Sequence, residues 1–298
     1  MLYNNLKVHF AGLESAMFAP TVYDAGVRYG LFSAYNGIAK KFNLPTISFN
    51  YGKPYPIADA VIKPAKHIIM DSGLFTLMFG AGKRKEGYNE AFLERWMYAL
   101  VDYAKELNAP FHCVEVDCQK VLNVKAAWKF REKMRSLLPA QNPMINVFHM
   151  EDGKQGLFDL VDYSDYIAIS VPELRIHFGK NYKDAVYRFA CEIKNRKPEI
   201  DIHLLGCTVA DVLSKCKFCS TADSTSWMQI GKYGSHKNHH ISTIRDEQKE
   251  AIRTRLYQIL EPYTTGEKLQ GSLKALTGYW IVCHHLLSEY TDWCGSQA

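Results

Sequence analysis

Three apolar runs of this chain end on an aspartate. HIIMD closes on Asp71, FHCVEVD closes on Asp117, and the stretch from Ile202 to Trp227, IHLLGCTVADVLSKCKFCSTADSTSW, carries its carboxylate at Asp223. An ionised carboxylate buried without partners is strongly disfavoured, so an aspartate at the outgoing end of a buried strand calls for a chemical reason. Two such groups suit a displacement in which one carboxylate attacks and the other alternates between acid and base, as in retaining glycoside hydrolases. His149 closes the run Met144–His149 and joins the aspartates as a candidate, although a lone histidine is more often structural. A competing reading has the aspartates merely capping the helices that follow each strand, a role for which the hydroxyl-rich STADSTS is also suited.

Those residues can meet only if the strands that carry them share one end. The apolar runs Leu6–Gly12, Ile47–Phe49, His67–Met70, Phe111–Asp117, Met144–His149, Tyr166–Ser170, Ile202–Gly206 and Ser220–Asp223 read as strands. Helical patterns separate several of them, over Ala25–Phe42, Asn89–Leu107, Val124–Leu138 and Gly156–Val161. This alternation in a chain of 298 residues predicts an α/β fold, a (βα)8 TIM barrel, as one domain over 1–298 with a helical C-terminal segment at about 242–298. In such a barrel functional side chains collect at the C-terminal ends of the strands, which would bring Asp71, Asp117 and Asp223 to one mouth. Strand alternation places Cys113, Glu115 and Asp117 on one face and Val114 and Val116 on the other, with Asp117 inward.

Composition narrows the setting. The hydrophobic content of 47% supports a sizeable core, and the net charge of +5 permits a polyanionic partner without demanding one. No apolar run approaches membrane-spanning length, and the N-terminus lacks a signal-peptide pattern, so a cytoplasmic protein is expected. Eight cysteines lying mostly in apolar segments read as reduced core residues. Cys216 and Cys219 form a CxxC with His236, His239 and His240 downstream, but the missing second pair argues against zinc, and no metal or cofactor is expected. Basic residues gather in GAGKRKEG, at Lys83, Arg84 and Lys85, and in QIGKYGSHKNHH, at Lys232 and Lys237. They are either solvated loops or phosphate contacts.

At DSGLF, LLGCT and TADSTSW the chain resembles the queuine and archaeosine tRNA-guanine transglycosylases, and more closely the DNA-modifying branch found in phages and bacterial modification islands. The resemblance runs from about Asp71 to Gly234. It implies exchange of guanine for a 7-deazaguanine base such as preQ0, with Asp223 as nucleophile and Asp71 as acid and base. Ser72 and Phe75 then belong to the base pocket, Phe75 stacking on the base, and Asp117 reads the base. His149 stands where the family has a glutamine, Ser170 at the pocket floor, and Leu205 and Gly206 over the other face. Leu74 and Thr76 depart from the motif, and the zinc set of the tRNA enzymes is absent, so the resemblance points to DNA as substrate. Lys83, Arg84, Lys85, Lys232 and Lys237 would contact its backbone. Alternatives are the tRNA enzyme itself and a glycoside hydrolase-like barrel; a homo-oligomer or an accessory protein is left open, in the host cytoplasm if the gene is a phage's.

Overall fold

Eight parallel strands close into a barrel in sequence order, with β8 returning to pair with β1. The strands are β1 (Lys7–Ala11), β2 (Tyr29–Ser33), β3 (His67–Asp71), β4 (His112–Val114), β5 (Met144–Phe148), β6 (Tyr166–Ser170), β7 (Asp201–Leu205) and β8 (Thr221–Ser224). The structure, a computed structural model, describes the chain except for residues 16, 48–52, 54, 86, 234, 237–238 and 241–243, and describes 233, 235, 236, 239 and 240 by backbone alone. The expected (βα)8 class is present.

The second strand differs from expectation. Tyr29–Ser33 pairs with both β1 and β3, inside the segment expected to be one long helix; α2 (Tyr35–Ala39) and the 3-10 turn Lys40–Phe42 are helical there, and α1 (Phe18–Asp24) precedes the strand. The expected strand Ile47–Phe49 falls largely outside the described residues, as does Lys237.

Around the barrel stand α3 (Leu74–Phe79), α4 (Glu90–Leu107), α5 (Val124–Leu137), α6 (Gly153–Tyr163), α7 (Val171–Phe178), α8 (Tyr182–Arg196), α9 (Ala210–Lys215) and α10 (Ser226–Tyr233). Local chemistry sets their limits. The Asn89 side chain accepts from the Phe92 amide to start α4, which buries Phe92, Leu93, Trp96, Met97, Leu100 and Ala104 at helical spacing and stops at Asn108, held at φ 43°. Asn123 caps α5 in the same way through Ala126. Beyond the barrel come α11 (Asp246–Leu260) and the 29-residue α12 (Gly266–Cys294), the expected helical C-terminal region.

Two layers fill the barrel. Ala11, Leu31, Ile69, Val114, Ile145, Val147 and Ala168 form an aliphatic plug. Beneath it, toward the N-terminal ends of the strands, the interior is unusually polar: His9, His67 and His112 link by ring-nitrogen contacts of 2.7 Å. Burial pushes His67 down to about 3 and His112 to about 4, so both imidazoles are neutral at pH 7. The floor is closed by the end of the chain. Gln297 accepts from the Val8 amide at 2.9 Å and donates to the Leu6 carbonyl at 2.9 Å, and Lys7 reaches the Ser296 carbonyl.

Glu115 keeps the alternation of β4 but lies on the outer face with Cys113, where the inner face was expected. β4 stops at Val114, which faces the inner plug, and Glu115 points outward to a bidentate pair with Arg131 of α5 at 2.8 and 2.7 Å. Glu115 and Arg131 are 2% and 1% exposed, and Glu115 also accepts from Asn146 and the Val147 amide. Asp117 therefore does not share the face of Cys113 and Glu115; it reaches the mouth because the strand has already ended.

Candidate active site at the barrel mouth

β3, β4 and β8 bring their three aspartates to one mouth. Asp71 ends β3, and its Oδ2 accepts from the Gly73 amide at 3.0 Å. Gly73 adopts φ +76°, and a Cβ there would stand 2.8 Å from the Tyr35 amide nitrogen, so glycine is what lets the chain turn tightly under Asp71. Burial pushes the Asp71 carboxyl up to about 7; the Gly73 hydrogen bond opposes this, and the charges of Asp117, Asp223 and Glu14 reinforce it. Glu14, three residues past β1, accepts from the Ser33 amide at 3.1 Å and is itself raised by burial. It was not among the residues expected, because it follows a glycine turn rather than closing an apolar run.

Asp223 is held differently. Only 7% exposed, it accepts at Oδ1 from the Gly206 amide at 2.8 Å and contacts His203 Nε2 at 3.1 Å through the same oxygen. The Gly206 amide is aimed by a positive φ of +69°, and a Cβ at Gly206 would meet Pro172 Cγ at 2.8 Å. Helix capping does not account for these aspartates. Asn123 caps α5, the Ser224 hydroxyl accepts from the Ser226 amide at the start of α10, and the donors to Asp223 come from β7 and the residue after it.

On the opposite side His149 is clamped between carboxylates, with Nε2 3.0 Å from Asp117 Oδ2 and Nδ1 2.7 Å from Glu173 Oε2. Burial opposes its charge, but the hydrogen bonds and charges of Asp117 and Glu173 win and hold the imidazole up to about 10. Burial likewise opposes charge on Glu173, yet His149 and Lys120, the latter at 2.9 Å, bring its carboxyl down to about 2. His149, Glu151 and Glu173 form the one group of three candidate metal ligands among the described residues. Both ring nitrogens of its histidine already donate to carboxylates, and Lys120 occupies Glu173, so this group fits an ion pair better than a cation site.

The remaining expected residues divide. Ser72 is 1% exposed and serves the scaffold: its hydroxyl accepts from the Leu74 amide and its carbonyl from Trp96 Nε1. Ser170 and Leu205 end β6 and β7 half-buried at the mouth. Phe75 is 72% exposed with its ring 5.4 Å from that of Phe79, itself 65% exposed, so it is an outward aromatic pair and not a closed stacking platform. Lys83, Arg84 and Lys85 are exposed on the loop after α3, with the Arg84 guanidinium over the Tyr88 ring at 5.2 Å. Lys232 lies exposed in the last turn of α10. Cys216 and Cys219 are buried, and every cysteine is free. No described helix is long and apolar enough to cross a membrane.

No protein-family model and no curated protein matches the sequence. Solved structures are similar at 9–11% identity. An enolase protein from the environmental genome shotgun sequencing of the Sargasso Sea is 10% identical with a TM-score of 0.41, over 74% of this chain, which spans 55% of that protein's length. The YdjI aldolase from Escherichia coli K12 is 10% identical with a TM-score of 0.39, over 97% of this chain and 93% of its own. A 2,3-dimethylmalate lyase, a PEP mutase/isocitrate lyase superfamily member, is 11% identical with a TM-score of 0.42, over 91% of each chain. The transglycosylase resemblance is corrected by these findings, since no transglycosylase family model and no curated transglycosylase matches the sequence. DSGLF, LLGCT and TADSTSW are short segments at strand ends, where any barrel with a carboxylate mouth and tight turns can carry them. The guanine-exchange roles given to Asp223, Asp71, Asp117, Phe75, Ser72, His149, Ser170, Leu205 and Gly206 fall with it, as do 7-deazaguanine and DNA modification.

Proposed function

We propose that this chain is an enzyme of proton-transfer chemistry, with Asp223 as the base and Asp71 as the acid at the mouth of the barrel. The observation that carries this reading is the contrast between the two carboxyls. Asp223 accepts from the Gly206 amide and faces the His203 ring, whereas Asp71 has one amide donor and three neighbouring carboxylates that favour its protonated form. A carboxylate held by an amide donor and facing an imidazole suits the base, and one pushed toward its protonated form suits the acid. A group titrating near 7 is matched to proton delivery at neutral pH. In the reaction Asp223 takes a proton from the substrate while Asp71 gives one to the oxygen or nitrogen on which charge develops, and exchange with water restores both. Glu14, Asp117 and Glu173 make the mouth a surface of acceptors, and the charge of His149 is spent between Asp117 and Glu173. A neutral or cationic substrate rich in N–H or O–H groups suits such a mouth.

The rim supports a polyanionic partner such as DNA, because the exposed Lys83, Arg84 and Lys85 follow the helix that presents the Phe75–Phe79 pair, a combination suited to phosphates and unstacked rings. The reading is tested by incubating the protein in D2O with a panel of polyols, amides and heterocycles. Wild type is expected to place deuterium at one carbon of a bound compound, with loss of that exchange in Asp223→Asn and Asp71→Asn. Exchange that persists in Asp223→Asn overturns the assignment of the base.

A further inference from the structure

We infer that Tyr166, Thr221 and His203 form a one-directional hydrogen-bond relay that fixes the orientation of Asp223, making His203 a positioning residue for the carboxylate assigned above as the base. The relay is drawn from three adjacent strands: Tyr166 from β6, His203 from β7, and Thr221 and Asp223 from β8, with Thr221 in register with His203. All four residues are buried, at 3%, 0%, 0% and 7% exposure. The Tyr166 hydroxyl contacts Thr221 Oγ1, Thr221 Oγ1 lies 2.7 Å from His203 Nδ1, and His203 Nε2 lies 3.1 Å from Asp223 Oδ1.

Donor arithmetic sets the direction. A carboxylate oxygen only accepts, so His203 must carry its proton on Nε2 to bond Asp223. With that single ring proton on Nε2, Nδ1 is an acceptor and the Thr221 hydroxyl donates to it. Having given its only proton, Thr221 accepts from Tyr166, whose phenol keeps its proton because burial pushes it up. Reversing any one bond leaves a buried proton or lone pair unmet, which is costly in this setting. The relay thus specifies one histidine tautomer. Its consequence reaches the mouth: Oδ1 is occupied by His203 and the Gly206 amide, and no described hydrogen bond reaches Oδ2, which is left as the oxygen that takes up the substrate proton.

Thr221→Val and Thr221→Ser separate this role from simple packing, since valine keeps the shape and removes the hydroxyl while serine keeps the hydroxyl. Two readouts on the full chain are needed. In the imidazole 15N spectrum at pH 7.5, wild type and Thr221→Ser are expected to hold His203 as the Nε2–H tautomer alone, and Thr221→Val to populate the Nδ1–H form as well. Labelling of Asp223 by a water-soluble carbodiimide with glycinamide is expected to rise about tenfold in Thr221→Val and to return toward wild type in Thr221→Ser, as loss of one charge-assisted hydrogen bond to the carboxylate implies. A wild-type His203 found as the Nδ1–H tautomer, or unaltered by Thr221→Val, overturns the relay whatever Asp223 does. The correct tautomer beside an Asp223 that resists labelling in every variant overturns instead the assignment of Asp223 as the reactive group, so the two failures are distinguishable.

Discussion

Asp71→Asn should stabilise this protein, and only above the pH at which an ordinary aspartate ionises. The folded chain raises this carboxyl from 3.8 to about 7, through burial first and then the nearby charges of Asp117, Asp223 and Glu14. Between those two values the native state holds a proton that the unfolded chain has lost, so native stability falls as pH rises through the window and levels off above 7. At about 1.4 kcal/mol per pH unit the full interval is worth about 4 kcal/mol. Asparagine resembles the protonated acid in shape, can still accept from the Gly73 amide, and never ionises. The variant should therefore match wild type near pH 4 and exceed it by ~2–4 kcal/mol at pH 8, the lower figure allowing for relaxation around the charge. For a chain of this length that is about 3–6 °C in Tm, taking an unfolding entropy of about 2 cal/mol/K per residue. Differential scanning calorimetry of both proteins at pH 4, 6 and 8 measures it. A gap that does not widen with pH, or a variant less stable at pH 8, would refute the claim that Asp71 is held protonated by its surroundings.

The neutral imidazoles of the barrel floor act in the opposite sense. His67 and His112 are depressed from 6.5 to about 3 and about 4, chiefly by burial, so stability present above 6.5 is lost as pH falls through those values; the two intervals together exceed that of Asp71, and urea midpoints should drop from pH 7 to pH 4. A midpoint that stays flat or rises would contradict this. Arg131→Met strands the buried Glu115 and should cost ~3–5 kcal/mol in denaturant unfolding, while the double variant with Glu115→Gln should recover much of the loss. Equal losses in single and double variants would show that the pair acts through packing alone. Gly206→Ala forces a side chain into a left-handed backbone against Pro172, so a loss of ~1–3 kcal/mol is expected together with faster carbodiimide labelling of Asp223, and unchanged labelling would free that amide from its assigned role. Replacing Lys83, Arg84 and Lys85 with serine should lower the salt slope of DNA binding by about 2, which fluorescence anisotropy between 50 and 300 mM salt reads; an unchanged slope removes this loop from the interface.

The barrel was legible because seven of its strands are apolar runs long enough to stand out between helical patterns. The eighth was not. Tyr29–Ser33 lies among aromatic and basic residues whose spacing imitates a helix, and only pairing with β1 and β3 on both sides reveals it as a strand. At the site, Asp71, Asp117 and Asp223 were found because each follows an apolar run, yet their order in sequence says nothing of the hydrogen bonds that separate base from acid. Glu14, Glu173 and His203 escaped notice for separate reasons: a glycine turn, the first turn of α7, and a strand interior where a histidine reads as core. Alternation also misplaced Asp117, since Cys113 and Glu115 share the outer face and the pattern lapses once β4 has ended at Val114.

Gln297 has a consequence for how this barrel is assembled. Its side chain joins the Leu6 carbonyl across 291 positions of sequence, and β8 pairs with β1, Lys7 standing opposite Thr221. Closing a loop of that length has an entropy cost of roughly 5 kcal/mol, set by (3/2)RT ln n, before any contact rewards it. Each of the seven pairings between sequence neighbours closes a shorter loop, at about 2 kcal/mol less by the same relation. The amide that reaches into β1, bonding on both sides of Lys7, is a clasp on the seam between the first and last strands.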